Sequence, residues 1–287
     1  MTSASRSCPP RPAIVAFGIL LLIAVGCSGL FQNIGARWVT RQIVAEFNLD
    51  EVQTAATRAS VDRLIAAAPG ALSARVDMLV ATVDAAIAKG LTEKKLLGME
   101  RQVDALLDIA AGGIIDEVAP LLASLRDNQI DFVEARIEKR LDEARERHAE
   151  PKEERLEKRQ DSFVEAVEDW SGSLSGGQED ALRKFVAGLP DEAAAVLATD
   201  ERRVKSMGLV VRKHPGTQAI RDALWNEWKN REDWGPDARP AQARRAEGRQ
   251  ALLLVYGLLD SKQKVHASEH LHELHDKVKA FFGASTS

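Results

Sequence analysis

Four of the chain's six histidines, His266, His270, His272 and His275, fall within ten residues near the C-terminus. On a helix, His266 and His270 share one flank of a Leu271/Leu274/Val278 stripe with Glu273, and His272 and His275 share the other with Asp276. Two histidines four apart can share a zinc ion, but the ion needs further ligands, and one helix cannot bring all four rings to one point. The order is not His-Glu-x-x-His, so no zincin is indicated. Weak metal binding or proton sensing by these four residues competes with a plainer role as solvated or structural histidines. Trp225, Trp228 and Trp234 cluster before the proline-rich loop at 235–240, and the three-residue spacing of the first two favours core packing over a sugar platform. No nucleophile elbow, phosphate loop or singled-out carboxylate pair is present. The expectation is a protein that is not an enzyme and holds no cofactor, with a metal-binding or hydrolytic role as a distant alternative.

The stretch from Leu125 to Gln178 positions the densest charge. Ile130, Val133, Ile137 and Leu141 recur at helical spacing, as do Leu156, Phe163, Val167 and Trp170, with one break at Pro151. The spacing predicts two antiparallel helices whose stripes face each other across that turn. Residues 134–160 carry 9 acidic and 9 basic side chains. Such a surface is usually a solvated helix face. Its functional reading is a projecting hairpin that docks a protein partner through Ile137 and Leu141, with Arg147 and Arg155 at the tip.

Around this hairpin the chain of 287 residues is poor in aromatics and rich in helix-forming residues. The expected fold is all-α, a multi-helix bundle of about nine or ten helices with a long charged helical hairpin. Long helices are predicted over 128–149, 152–171 and 191–213. Pro69 is expected to end one helix and Gly70 to begin the next, and Gly112-Gly113 to break another. A pattern of Leu, three residues, Gln recurs at Leu49/Gln53, Leu125/Gln129, Leu174/Gln178 and Leu259/Gln263. With Asp50, Ser175 and Asp260 after the leucine it reads as a capping box at a helix start, which Arg126 breaks in the second copy. The uneven spacing does not make a solenoid.

Arg6 and Arg11 precede an apolar run, Ala13 to Val25, that ends at Gly26-Cys27. This resembles a bacterial lipobox, with Ala24 where leucine is more usual. It predicts cleavage before Cys27 and acylation of that residue. Several acyl chains would anchor durably, since each buried methylene contributes ~0.8 kcal/mol. An uncleaved span or an ordinary secretory signal would also export the body, because the arginines stay inside. Ser28 after the cysteine points to the outer membrane, with the body facing the periplasm. The expected organisation is a signal peptide at 1–26, an N-terminal helical region at 27–120, a central hairpin region at 121–190 and a C-terminal helical region at 191–287. Both cysteines, Cys8 and Cys27, lie in the N-terminal segment, Cys27 at the expected point of acylation, so the body must hold together without disulfides. Net charge is −4, and −6 once the two leader arginines are removed, which argues against a nucleic-acid partner.

The stretches Leu125 to Gln129, Glu134-Ala135-Arg136, Pro151 to Arg155 and Glu168 to Gln178 resemble those of a family of bacterial lipoproteins of unknown function, with Gly176-Gly177 departing from its usual Pro-Glu. The resemblance implies an envelope location and a helical fold, and no activity. The Leu-x-x-x-Gln starts are also similar to those of small periplasmic chaperones of the Spy type. Two roles follow as expectations: an adaptor or scaffold that is held to the membrane by lipid on Cys27 and binds another envelope protein, or a holdase-like chaperone.

Overall fold

A computed structural model describes residues 29–284, and the leader with its lipobox-like segment lies outside them. Among the described residues the chain forms ten helices and no strand, as the composition predicts. They are α1 (Gly29–Phe47), α2 (Glu51–Lys89), α3 (Glu93–Ala123), α4 (Asp127–Ala149), α5 (Lys152–Ser171), α6 (Gly176–Ala187), α7 (Ala193–Arg212), α8 (Thr217–Lys229), α9 (Ala241–Leu258) and α10 (Ser261–Ala284).

The four Leu-x-x-x-Gln copies sit at the starts of α2, α4, α6 and α10. In each, the glutamine Oε1 accepts the backbone N–H of the residue after the leucine: Asp50 at 3.1 Å, Arg126 at 3.1 Å, Ser175 at 2.8 Å and Asp260 at 3.0 Å. Arg126 thus breaks only half of the box, since the returning glutamine bond needs no side chain at the cap. What the sequence does not foretell is that the copies pair. Gln53 Nε2 donates to the Ser124 carbonyl and Gln129 Nε2 to the Asn48 carbonyl, both at 2.8 Å. Gln178 Nε2 donates to the Leu258 carbonyl at 2.8 Å, and Gln263 Nε2 to the Ser173 carbonyl at 2.9 Å. Each glutamine therefore seals the last carbonyl before its partner's leucine. Both pairs are cross-braced in the same way.

Two expected helix breaks do not occur. α2 runs through Pro69 for 39 residues. An interior proline costs ~3 kcal/mol, but Ala68, Leu72 and Val76 on either side of it pack with Val278 and Phe282 of α10 and with Leu106 and Ile109 of α3. This burial holds the helix through the fault. α3 likewise runs through Gly112-Gly113. A Cβ at Gly112 would stand 3.4 Å from the Trp225 ring, and one at Gly113 would stand 3.4 Å from Leu64. These glycines are where two neighbouring elements approach the helix, so they permit packing and do not mark a break.

The hairpin also differs from expectation. Its helices have the predicted extents, but their stripes do not face each other. α4 packs on α7 and α1, whereas α5 packs on α6 and α10. Ile130 joins Ala119, Leu122, Leu125, Val211 and Ile220 in one core. Val164 and Val167 join Leu182 and Leu259 in another. Trp170, expected in the seam, is 42% exposed and meets the His270 ring edge-on at 4.8 Å. An amphipathic stripe fixes which face is buried, not which neighbour buries it.

Candidate functional site

The hairpin turn brings Arg155 back over the end of α4. Its guanidinium donates to the carbonyls of His148 and Glu150 at 2.8 and 2.6 Å, and to Asp191, before α7, at 2.6 Å. That bond holds the Asp191 carboxyl below its ordinary range. Arg159 adds bonds to the carbonyls of Val186, Leu189 and Pro190 at the end of α6. Arg155 is thus a staple of the turn, and only Arg147 of the two tip arginines is exposed. Ile137 and Leu141 are half-buried on the helix that packs against α7. What the arm leaves exposed is Arg147 and much of the charged outer face of its two helices.

The four histidines of α10 go to separate places. His266 lies over Gly172, and His270 meets Trp170. His272 approaches Asp84 at 3.4 Å, and His275 bonds Asp77 at 2.6 Å. The His275 bond, with Lys279 nearby, holds the Asp77 carboxyl below its ordinary range. Among the described residues no three His, Cys, Asp or Glu side chains are grouped to hold a metal ion. Ser268 also donates to Asp84, so the carboxylate stands between serine and histidine. A hydrolytic triad needs the imidazole in the middle, and this arrangement clamps α10 to α2 instead.

A dense cluster of arginine–carboxylate pairs was not singled out by sequence reasoning. It lies where α3, α8, α9 and the 230–240 loop meet. Arg245 pairs with Asp104 at 2.7 Å and with Glu232, and Arg231 reaches Asp104 at 3.3 Å. Arg249 pairs with Glu100 at 3.0 Å. Arg239 pairs with Glu192 at 3.0 Å and with Glu247. Hydrogen bonds from Arg245 hold the carboxyl groups of Asp104 and Glu232 below the ordinary range. Trp228 donates to Asp108 at 2.8 Å with Arg231 stacked 4.4 Å above its ring, and Arg244 stacks 3.9 Å above Trp234. The signal in the sequence was the run Arg244-Arg245-x-x-x-Arg249 matched by Glu100 and Asp104 four apart on α3, which puts both sets on facing helix sides. Carboxylates match the guanidinium groups of Arg231, Arg239, Arg245 and Arg249, and that of Arg244 donates to the backbone carbonyls of Glu232 and Arg239, so the cluster joins helices.

No curated protein matches the chain. No solved structure matches it either, so the likeness to chaperones of the Spy type rests on the Leu-x-x-x-Gln starts alone, which here serve as paired helix caps. The model of a family of unknown function, DUF6279, matches residues 68–239, more than half of the chain. The span covers the end of α2, the whole charged arm and the loop of the arginine cluster. The chain therefore belongs to the DUF6279 family.

Proposed function

We propose that the protein is a cell-envelope lipoprotein, held by lipid on Cys27 to the outer membrane and facing the periplasm, that acts as a non-enzymatic adaptor for another envelope protein. The observation that carries the reading is how arginines tie carboxylates of different helices together, as Arg136 does Glu46, Arg63 does Glu117 and Arg245 does Asp104. Glu46, Asp50, Asp77, Asp104, Glu117, Asp191, Glu192 and Glu232 are all held below the ordinary range. For most of them the largest cause is a hydrogen bond from an arginine. In Glu192 burial pulls upward and Arg239 outweighs it. A general acid at neutral pH requires the opposite shift, so these groups are suited to tying helices together and ill suited to proton transfer. The large apolar side chains left exposed, from Trp38 to Val265, are carried by eight different helices. That distribution suits discrete contacts better than the continuous apolar wall a holdase needs.

The test is crosslinking in intact cells followed by capture of the full-length protein. One dominant partner in stoichiometric amount is the expected result, and Arg147→Glu should weaken its capture while leaving the fold intact. A broad set of unrelated clients would replace the adaptor with a holdase, and no enrichment at all would overturn both. Metabolic labelling with a fatty-acid probe tests the anchor: Cys27→Ala should abolish the label and leave an unprocessed precursor.

A further inference from the structure

α1 carries an outward face that its packing does not explain. Arg37, Trp38, Arg41, Gln42 and Ala45 are all exposed and share one side of the helix. The other side, with Thr40 buried and Ile43, Val44 and Phe47 half-buried, belongs to the helix surface that packs on α2, α4 and α10. Trp38 is 53% exposed. The one carboxylate of α1, Glu46, is matched by Arg136 at 3.0 Å and Arg140 at 2.5 Å, both on α4. Among the described residues no ion pair engages Arg37 or Arg41. The face is therefore a large aromatic side chain flanked by two cations that pair with no carboxylate among the described residues, while α1's own carboxylate is held by α4.

Position adds a second argument. α1 begins at Gly29, two residues after Cys27, and the apolar run Ala13–Val25 comes just before that cysteine. Trp38 stands nine residues into the helix, about 14 Å from its start at 1.5 Å per residue. A helix lying along a bilayer to which its start is tied keeps such a residue at headgroup depth. Tryptophan favours that depth, with its ring among the upper acyl chains and its N–H in the wet layer. Arginines beside it find lipid phosphates there.

We propose that this face of α1 lies on the surface of the anchoring bilayer, with Trp38 in the headgroup layer and Arg37 and Arg41 on anionic phosphates. The inference rests on the lipid anchoring proposed above and adds an orientation to it: the acyl chains hold the protein at the membrane, and α1 fixes which side of the bundle faces away. The experiment uses the full-length acylated protein in vesicles of phosphatidylcholine and phosphatidylglycerol whose acyl chains carry bromine near the headgroups. Flotation reads anchoring, and quenching of tryptophan fluorescence reads contact. The expected result is that the protein floats, is quenched, and loses most of that quenching in Trp38→Phe. Arg37→Glu with Arg41→Glu should also reduce it, while the helical circular dichroism spectrum stays unchanged. A protein that floats but is quenched equally with and without Trp38 overturns the orientation and leaves the anchor standing. A protein that does not float overturns both.

Discussion

The side-chain amides of Gln53 and Gln129 bond to each other in both directions, 76 residues apart in sequence: Gln53 Nε2 donates to Gln129 Oε1 at 3.1 Å and Gln129 Nε2 to Gln53 Oε1 at 2.7 Å. Gln129 is fully buried. It also caps Arg126 and seals the Asn48 carbonyl, so truncating it strands several buried polar groups at once. Each such group costs about 1–3 kcal/mol. Gln129→Ala should therefore lower the free energy of unfolding by about 2–4 kcal/mol in urea titrations. Gln178→Ala, in the more exposed pair, should cost less. Gln53→Ala combined with Gln129→Ala should cost less than the sum of the two, because each change already leaves the other amide unpaired.

Two glycines inside helices should respond in opposite ways. Gly70, in the middle of α2, has nothing within 4 Å of where a Cβ would stand. Gly70→Ala should stabilise by about 0.5–1 kcal/mol by restricting the unfolded chain. At Gly112 the Trp225 ring already sits 3.4 Å from a first carbon, so Gly112→Val should destabilise by about 1–3 kcal/mol. Thermal melting of the two variants checks both signs.

The arginine cluster should make stability depend on acidity. Asp104 and Glu232 have folded-state pKa values lowered by Arg245. A lowered value means that their contribution is present above the unfolded carboxylate range, near pH 4, and is lost as pH falls through the folded values. Urea midpoints should therefore drop as pH falls from about 5 towards 2. Arg245→Met should cost about 1–2 kcal/mol at pH 7, less than for a fully buried pair because these groups remain about one-third exposed. It should also show a shallower acid dependence than the wild type.

The two arginines at the arm should separate structure from surface. Arg155→Ala removes bonds to His148, Glu150 and Asp191 at once and should lower stability by about 1–3 kcal/mol. Arg147→Glu should leave the melting temperature nearly unchanged, since the side chain is exposed. A large loss of stability in Arg147→Glu would show that the tip is held by more than the Arg155 staple.

The sequence by itself determined the helical class, the extents of α4 and α5 and the four capped helix starts, because periodicity and capping are local and each is written within a few residues. It also determined that His266, His270, His272 and His275 could not meet at one ion, since helix geometry alone separates them. The tertiary structure decided what those local pieces touch. Burial against α3 and α10 carried α2 through Pro69, and the approach of Trp225 and Leu64 explained two glycines that read as a break. The stripe of α4 found α7 and not α5, because an apolar face is satisfied by any partner of the right shape. The pairing of Gln53 with Gln129 and of Gln178 with Gln263, like the arginine cluster around Asp104, joins residues 76 to 141 positions apart. Such contacts depend on how whole helices come together, and no local pattern specifies them.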